Sequence, residues 1–211
     1  KYAVVVISEE GLFGLESHFV LLRDGATKWV KSSKGEAGKI AISPNNEYVV
    51  SASVKKDEDN TYVTLYTIDG AELWNTVVEG FPLHVDVSDN GEVLLINFRF
   101  DMSFIDNERN KDDAKSSSPS EVFLKILENI QFEMFFIARG RVLWSRSEIT
   151  RFTRSGDRII AVRGNSNIGF SADVFNIEGK LLWRYRGAYR VAASDNYYVL
   201  GSGEEIVLVT A

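Results

Sequence analysis

One five-residue phrase occurs four times in this chain, and its four copies hold every tryptophan present. The copies are Gly25-Ala26-Thr27-Lys28-Trp29, Gly70-Ala71-Glu72-Leu73-Trp74, Gly140-Arg141-Val142-Leu143-Trp144 and Gly179-Lys180-Leu181-Leu182-Trp183. Each follows a short apolar run, at residues 19–22, 62–68, 132–138 and 172–177, and in three of them Leu stands before the Trp. An apolar strand, a tight turn that needs Gly and a second strand carrying Trp describe an antiparallel hairpin. A repeated hairpin buries its apolar face only by stacking on its neighbours, so the repeat decides the architecture.

A second phrase precedes each tryptophan hairpin: 40–50 around Ser43-Pro44-Asn45-Asn46, 85–95 around Ser88-Asp89-Asn90-Gly91, 151–160 around Thr153-Arg154-Ser155-Gly156, and 191–200 around Ser194-Asp195-Asn196. Each reads as a short strand, a hydroxyl residue opening a polar turn, and a longer strand. The late turn positions Asn46, Gly91 and Gly156 are residue types that tolerate positive φ. Two hairpins per period make four strands in about 40 residues, the period of a β-propeller blade.

Spacing tests the period. Ser43 to Trp74 is 31 residues, Thr153 to Trp183 is 30, and Ser88 to Trp144 is 56. The third unit therefore carries an insertion of roughly 25 residues. Its first part, 106–118, is almost wholly polar and reads as a solvated loop. Ser118-Pro119-Ser120-Glu121 then has the form of a helix start. Val122, Phe123, Ile126, Leu127 and Ile130 fall on one helical face, although a strand through Val122, Leu124, Ile126 and Ile130 also fits.

The expected fold is all-β: a β-propeller, or partial propeller, of four-stranded antiparallel blades with one helix-containing insertion. Residues 1–211 form a single domain. Its units are about 2–33 (partial), 38–78, 83–147 with the insertion 101–131, 149–187 and 189–211 (partial). The two partial ends both supply middle strands, which suggests an array belonging to a longer propeller and open edges through which copies could associate.

Net charge is −6, unevenly spread. Residues 1–138 hold 13 basic and 23 acidic side chains, whereas 139–190 hold 11 basic, ten of them Arg, and 4 acidic. With no cysteine there are no disulfides, no thiol chemistry and no Cys-ligated zinc, which fits a reducing, cytoplasmic setting. No apolar run approaches the 18 or so residues of a membrane-spanning helix.

The Gly-x-x-x-Trp phrase resembles the docking motif of quinoprotein-type (PQQ-like) propeller repeats, which ends in Gly-Lys-x-x-Trp; residues 179–183 match that ending best. The resemblance covers nearly the whole chain outside the insertion. It implies that Gly25, Trp29, Gly70, Trp74, Gly140, Trp144, Gly179 and Trp183 dock each blade on the next. The chain departs from that repeat at Leu21, Tyr66, Phe136 and Phe175, four residues before each Gly, where the family has an acidic residue. It also departs at Asp24, Asp69, Arg139 and Glu178, where the family has Thr. Neither the Gly-His nor the Trp-Asp dipeptide of WD repeats occurs. These departures point away from a quinone, and no cofactor is expected.

Candidate chemistry is sparse. His18 and His84 stand far apart, and no Gly-x-Ser-x-Gly elbow or phosphate-binding Gly-rich phrase accompanies them. Lys55–Asn60 offers oxygen ligands without the glycine of a calcium loop, so no metal site is assigned. The Arg-rich stretch offers more: Arg139, Arg141, Arg151, Arg154, Arg158, Arg184, Arg186 and Arg190 carry forks suited to carboxylates and phosphates. These residues, with Phe123, Ile126 and Leu127 of the insertion, form the candidate interaction surface. The leading function is a non-enzymatic scaffold binding another protein. One alternative is a quinoprotein-like or sugar-active enzyme with a ligand in the central channel. Another is anion or RNA binding through the Arg-rich blades, although a pI near 5.1 argues against nucleic acid. If the tryptophans dock blades, Trp183→Ala should cost about 3–5 kcal/mol in chemical denaturation; a loss below about 1 kcal/mol would count against that role.

Overall fold

The computed structural model describes residues 1–11, 14–33, 36–54, 58–100, 130–165, 169–188, 190–194, 197–202 and 205–210. These residues form 18 strands in five antiparallel sheets, with no helix among them. The first sheet holds β1 (Tyr2–Gly11), β2 (Gly14–Arg23) and β3 (Ala26–Ser32). The second holds β4 (Glu36–Ile42), β5 (Tyr48–Val54), β6 (Asn60–Thr67) and β7 (Glu72–Glu79). The third holds β8 (Phe81–Val87), β9 (Val93–Phe100), β10 (Ile130–Ala138) and β11 (Arg141–Ser147). The fourth holds β12 (Ile149–Ser155), β13 (Arg158–Asn165), β14 (Gly169–Asn176) and β15 (Leu181–Arg186). The fifth holds β16 (Arg190–Ser194), β17 (Tyr197–Ser202) and β18 (Glu205–Thr210).

Every sheet is a meander with its strands in chain order. Aligned on the Trp-bearing strands, the first sheet supplies the second to fourth positions, and the fifth sheet the first to third. Packing between sheets also follows chain order, through β1 and β2 against β4, β4 against β8, β9 and β10 against β12, and β12 against β16. First strands thus converge, while the fourth strands β7, β11 and β15 are largely exposed.

The helix expected after residue 118 lies outside the described residues, as do Phe123, Ile126 and Leu127. At Ile130 the strand alternative holds: it is the first residue of β10 and pairs with Phe100, and Gln131, the last residue of the expected insertion, pairs with Arg99. A second expectation also shifts. Ser155, not Thr153, opens the polar turn of the fourth sheet, because Ser155 pairs with Arg158 while Thr153 sits within β12 opposite Ile160.

Middle strands are apolar at consecutive positions because both faces are covered. In β9, Val93 and Leu95 pack with Val50 and Leu65 of the second sheet, while Leu94 and Ile96 pack with Ile149 and Ile159 of the fourth. The side-chain period of two sends alternate residues to opposite neighbours. The fourth strands share one further irregularity. In all four sheets that carry one, a β-bulge makes the residue before Trp the extra one: Leu21 pairs with Trp29 but Leu22 with Thr27, and the same skip omits Leu73, Leu143 and Leu182. The repeated Leu is therefore an outward bulge residue, between 38% and 58% exposed in its three copies.

Trp29, Trp74 and Trp144 each meet the glycine of the following sheet. A Cβ on Gly70 would lie 3.0 Å from the Trp29 ring, one on Gly140 3.3 Å from Trp74 Cβ, and one on Gly179 2.7 Å from Trp144 Cγ. Trp29 Nε1 donates to the Ile68 carbonyl at 3.0 Å, and Trp144 Nε1 to the Ile177 carbonyl at 2.8 Å. Trp144 also stacks on Phe136, with ring centroids 5.2 Å apart. Trp183 packs against the cluster of Ile160, Val174, Ala188 and Leu200 between the fourth and fifth sheets.

Gly25 supplies an internal control, since a Cβ there meets nothing within 4 Å although its φ of +84° matches the +79° of Gly179. Gly25→Ala should cost about 1–2 kcal/mol, the left-handed backbone penalty. Gly179→Ala should lose a further 1–3 kcal/mol or so from crowding Trp144. Urea denaturation of both variants measures the difference, and equal losses would mean that the ring yields freely.

Candidate functional site on the inner strands

The arginines predicted as one surface do not share one face. Arg184 grips Asp173 with Nε at 2.6 Å from Oδ1 and NH2 at 2.8 Å from Oδ2, and the Asp173 side chain is fully buried. Asp173 and Arg184 are direct cross-strand partners. Arg163 adds a contact at 3.3 Å to Asp173 and another at 3.3 Å to Glu148. Arg154 joins the third and fourth sheets through Glu92 at 2.5 Å, and Arg158 lies 3.5 Å from Asp157. Arg146 donates to the Gly179 carbonyl at 2.7 Å with its guanidinium over the Trp144 ring. Much of the basic stretch is thus spent inside and between sheets.

Four basic side chains are placed differently. Lys39, His84, Arg151 and Arg190 each lie four residues before the hydroxyl residue that ends or follows the first strand, namely Ser43, Ser88, Ser155 and Ser194. They pair with Ala52, Ile96, Val162 and Gly201, which hold matching positions on the second strands. All four are exposed. A register shift falls just before three of them, between Glu36 and Lys39, Pro82 and His84, and Ile149 and Arg151. Such bulges re-aim the side chain that follows.

The four form a continuous series across successive sheets. Lys39 is near enough to His84 to disfavour its protonated form. The His84 ring lies 4.8 Å from that of Phe152, the neighbour of Arg151. Arg151 and Arg190 line one cavity of about 260 Å³ with Thr150, Val162 and Phe170. The series lies toward the end of the sheets opposite the Gly-x-x-x-Trp turns. Arg139 and Arg141 sit at that turn end, beside a second cavity of about 400 Å³ between the polar turn Asn90–Glu92 and the β10–β11 turn. Residues 101–129 join β9 to β10 and so leave from the same end as the basic series.

Burial pushes the His84 pKa down, with Asp86 opposing and Lys39 adding to the shift. Asp86, two residues on, is pushed up by burial, partly offset by a backbone hydrogen bond at Val87 and by the charges of His84 and Arg154. Among the described residues, no group of three or more His, Asp or Glu is placed to hold a metal ion. No helix among them is long and apolar enough to cross a membrane. The sequence marks neither Lys39 nor His84 as part of a series. Counting four residues back from Ser43, Ser88 and Ser194 aligns both with Arg190, and Arg151 joins them once the pairing of Ser155 with Arg158 sets the turn of the fourth blade.

No protein-family model matches the chain, and no curated protein matches it by sequence. Solved structures do. It is similar to the acylaminoacyl peptidase of Pyrococcus horikoshii, at 12% identity and a TM-score of 0.59, over 99% of this chain and 36% of that one. It is similar to the β-propeller domain of the Trilobed protease from Pyrococcus furiosus, which has an open velcro topology, at 11% identity and a TM-score of 0.59, over 99% of this chain and 67% of that one. The fold is a β-propeller. Hydrazine synthase of Kuenenia stuttgartiensis shares it at 8% identity and a TM-score of 0.54, over 95% of this chain and 69% of that one. The chain thus spans about a third of the peptidase and two thirds of the other two, and the sheets above are blades.

The His84 shift has a sign that can be tested. Its folded pKa lies below the ordinary 6.5, so acidification first protonates the unfolded chain and stability falls as pH drops below about 6.5. Asp86 acts oppositely: its folded pKa lies above 3.8, so stability rises as pH falls through that value. His84→Gln should lose less stability than the parent between about pH 7.5 and 5.5, measured by urea denaturation. An unchanged slope would remove His84 as its cause.

Proposed function

We propose that this chain is a non-enzymatic propeller module, of the PQQ-like repeat type, that binds a protein partner presenting acidic side chains to Lys39, His84, Arg151 and Arg190. One observation carries the reading. Among the described residues Lys39 and Arg151 make no ion pair, whereas Arg154, Arg163 and Arg184 are all engaged by carboxylates. Lys39 and Arg151 hold one register position on their blades, each following a bulge, and charge left without a carboxylate partner there suits an anionic visitor. Each of these blades places one basic side chain at the position, which suits an extended acidic segment crossing blade boundaries. The insertion leaves from the same end, so Phe123, Ile126 and Leu127 are proposed as a second contact with the partner.

The test is fluorescence anisotropy with a labelled glutamate-rich peptide. Lys39→Glu with Arg151→Glu should weaken binding by roughly tenfold or more, since each charge-assisted contact contributes about 1.5–3 kcal/mol. Arg139→Glu with Arg141→Glu, at the opposite end, should leave it unchanged. Binding should also weaken as salt rises. The reverse pattern between the two double variants would move the site to the turn end, and tighter binding of single-stranded RNA would replace the protein partner with a nucleic acid. Deleting residues 106–118 tests the insertion separately.

A further inference from the structure

We infer that the cavity between the fourth and fifth blades is a subsite for a carboxylate carried on an apolar or aromatic body. This rests on the reading above and names the chemistry at one end of the basic series. The cavity measures about 260 Å³ and is lined by Thr150, Arg151, Val162, Phe170 and Arg190. That is smaller than the roughly 300–1,000 Å³ of sites for drug-sized ligands, so it takes one side chain or a small organic acid.

Its lining has two chemically distinct halves. Arg151 stands near the start of β12 and Arg190 at the start of β16, adjacent first strands that pack together, so two basic residues line one space. The Arg151 fork is unspent among the described residues. Planar guanidinium forks match the two oxygens of a carboxylate. The other half is apolar: Val162 comes from β13 and Phe170 from β14. Thr150 turns its hydroxyl toward the Val162 carbonyl at 3.5 Å, a long contact that leaves its oxygen lone pairs unspent. An inorganic anion would use only the cationic half, and a neutral apolar ligand only the other. A carboxylate next to a ring or branched chain uses both.

Two sources share this chemistry: a free small acid, and the C-terminal residue of a peptide. The probes are N-acetyl-phenylalanine, its uncharged amide, inorganic phosphate and the tetrapeptide Ala-Ala-Ala-Phe with a free C-terminus. Each is titrated into the isotope-labelled full chain and followed by amide chemical shifts. N-acetyl-phenylalanine should give saturable shifts around Val162 and Phe170, with at least tenfold weaker binding of the amide and of phosphate. Arg151→Ala should lose at least tenfold, Arg151→Lys should recover only part because it restores charge without the fork, and Lys180→Ala, at the opposite end of the same blade, should change nothing. Tighter binding of the tetrapeptide than of N-acetyl-phenylalanine would identify a chain terminus as the natural ligand; the opposite order would identify a small acid. The inference is overturned by equal binding of the amide, by phosphate binding as well as the carboxylate, by indifference to Arg151→Ala in a folded variant, or by no saturation at about 10 mM. If those results come while the glutamate-rich peptide still binds through Lys39 and Arg151, only the subsite fails. If the small carboxylate binds and the peptide does not, the acidic-segment reading fails and the subsite stands.

Discussion

The contact between a tryptophan and the glycine of the next blade is the constraint on which the other arrangements rest. A flat indole plate fits there only because the facing residue lacks a side chain, and that residue is also the one whose turn requires positive φ. One substitution would therefore offend backbone and interface at once. The indole N–H closes the contact on a carbonyl of the same turn, at Ile68 and at Ile177. Blade spacing is thus set at the periphery by a rigid ring, and the middle strands fill the remaining space with Val, Leu and Ile on both faces.

Charge follows from that packing. Asp173 occupies the third strand of the fourth blade, where both faces are covered, and a lone carboxylate there would carry a heavy desolvation cost. The forked contact with Arg184 and the approach of Arg163 offset it. The Arg–Glu contact across the third and fourth blades does similar work near the polar turns. Arg154, Arg163 and Arg184 of the basic stretch are therefore internal counterweights to buried and half-buried acids. What it leaves over is concentrated on the first strands and at two exposed turns.

The fold was legible because its signal is periodic. Gly, Trp and the polar turns recur at spacings that a linear reading can count, and the meander follows. The bulge was not legible: a Leu before Trp looks like core, and only the skipped pairing shows that it points outward. The end of the insertion is ambiguous in sequence for a related reason, since Ile130 satisfies a helical spacing and also begins an apolar strand. Among the arginines, sequence displays charge but not partners. Asp173 and Arg184 stand 11 residues apart and meet only because β14 and β15 pair in that register. Nothing along the chain joins Lys39 and His84 to Arg151 and Arg190, since they stand in four different repeats, and the series exists only once the blades are superposed.

The bulge before each tryptophan leaves one position per repeat whose side chain the architecture does not consult. Three blades fill it with leucine. The first blade fills it with Lys28, whose ammonium reaches Asp69 on the neighbouring turn at 2.6 Å. In the third blade the corresponding pair is Leu143 and Glu178. The rim is therefore a place where solubility and blade-to-blade adhesion can drift independently of the fold, since an apolar stud and a charged clasp are interchangeable there without disturbing the indole behind them.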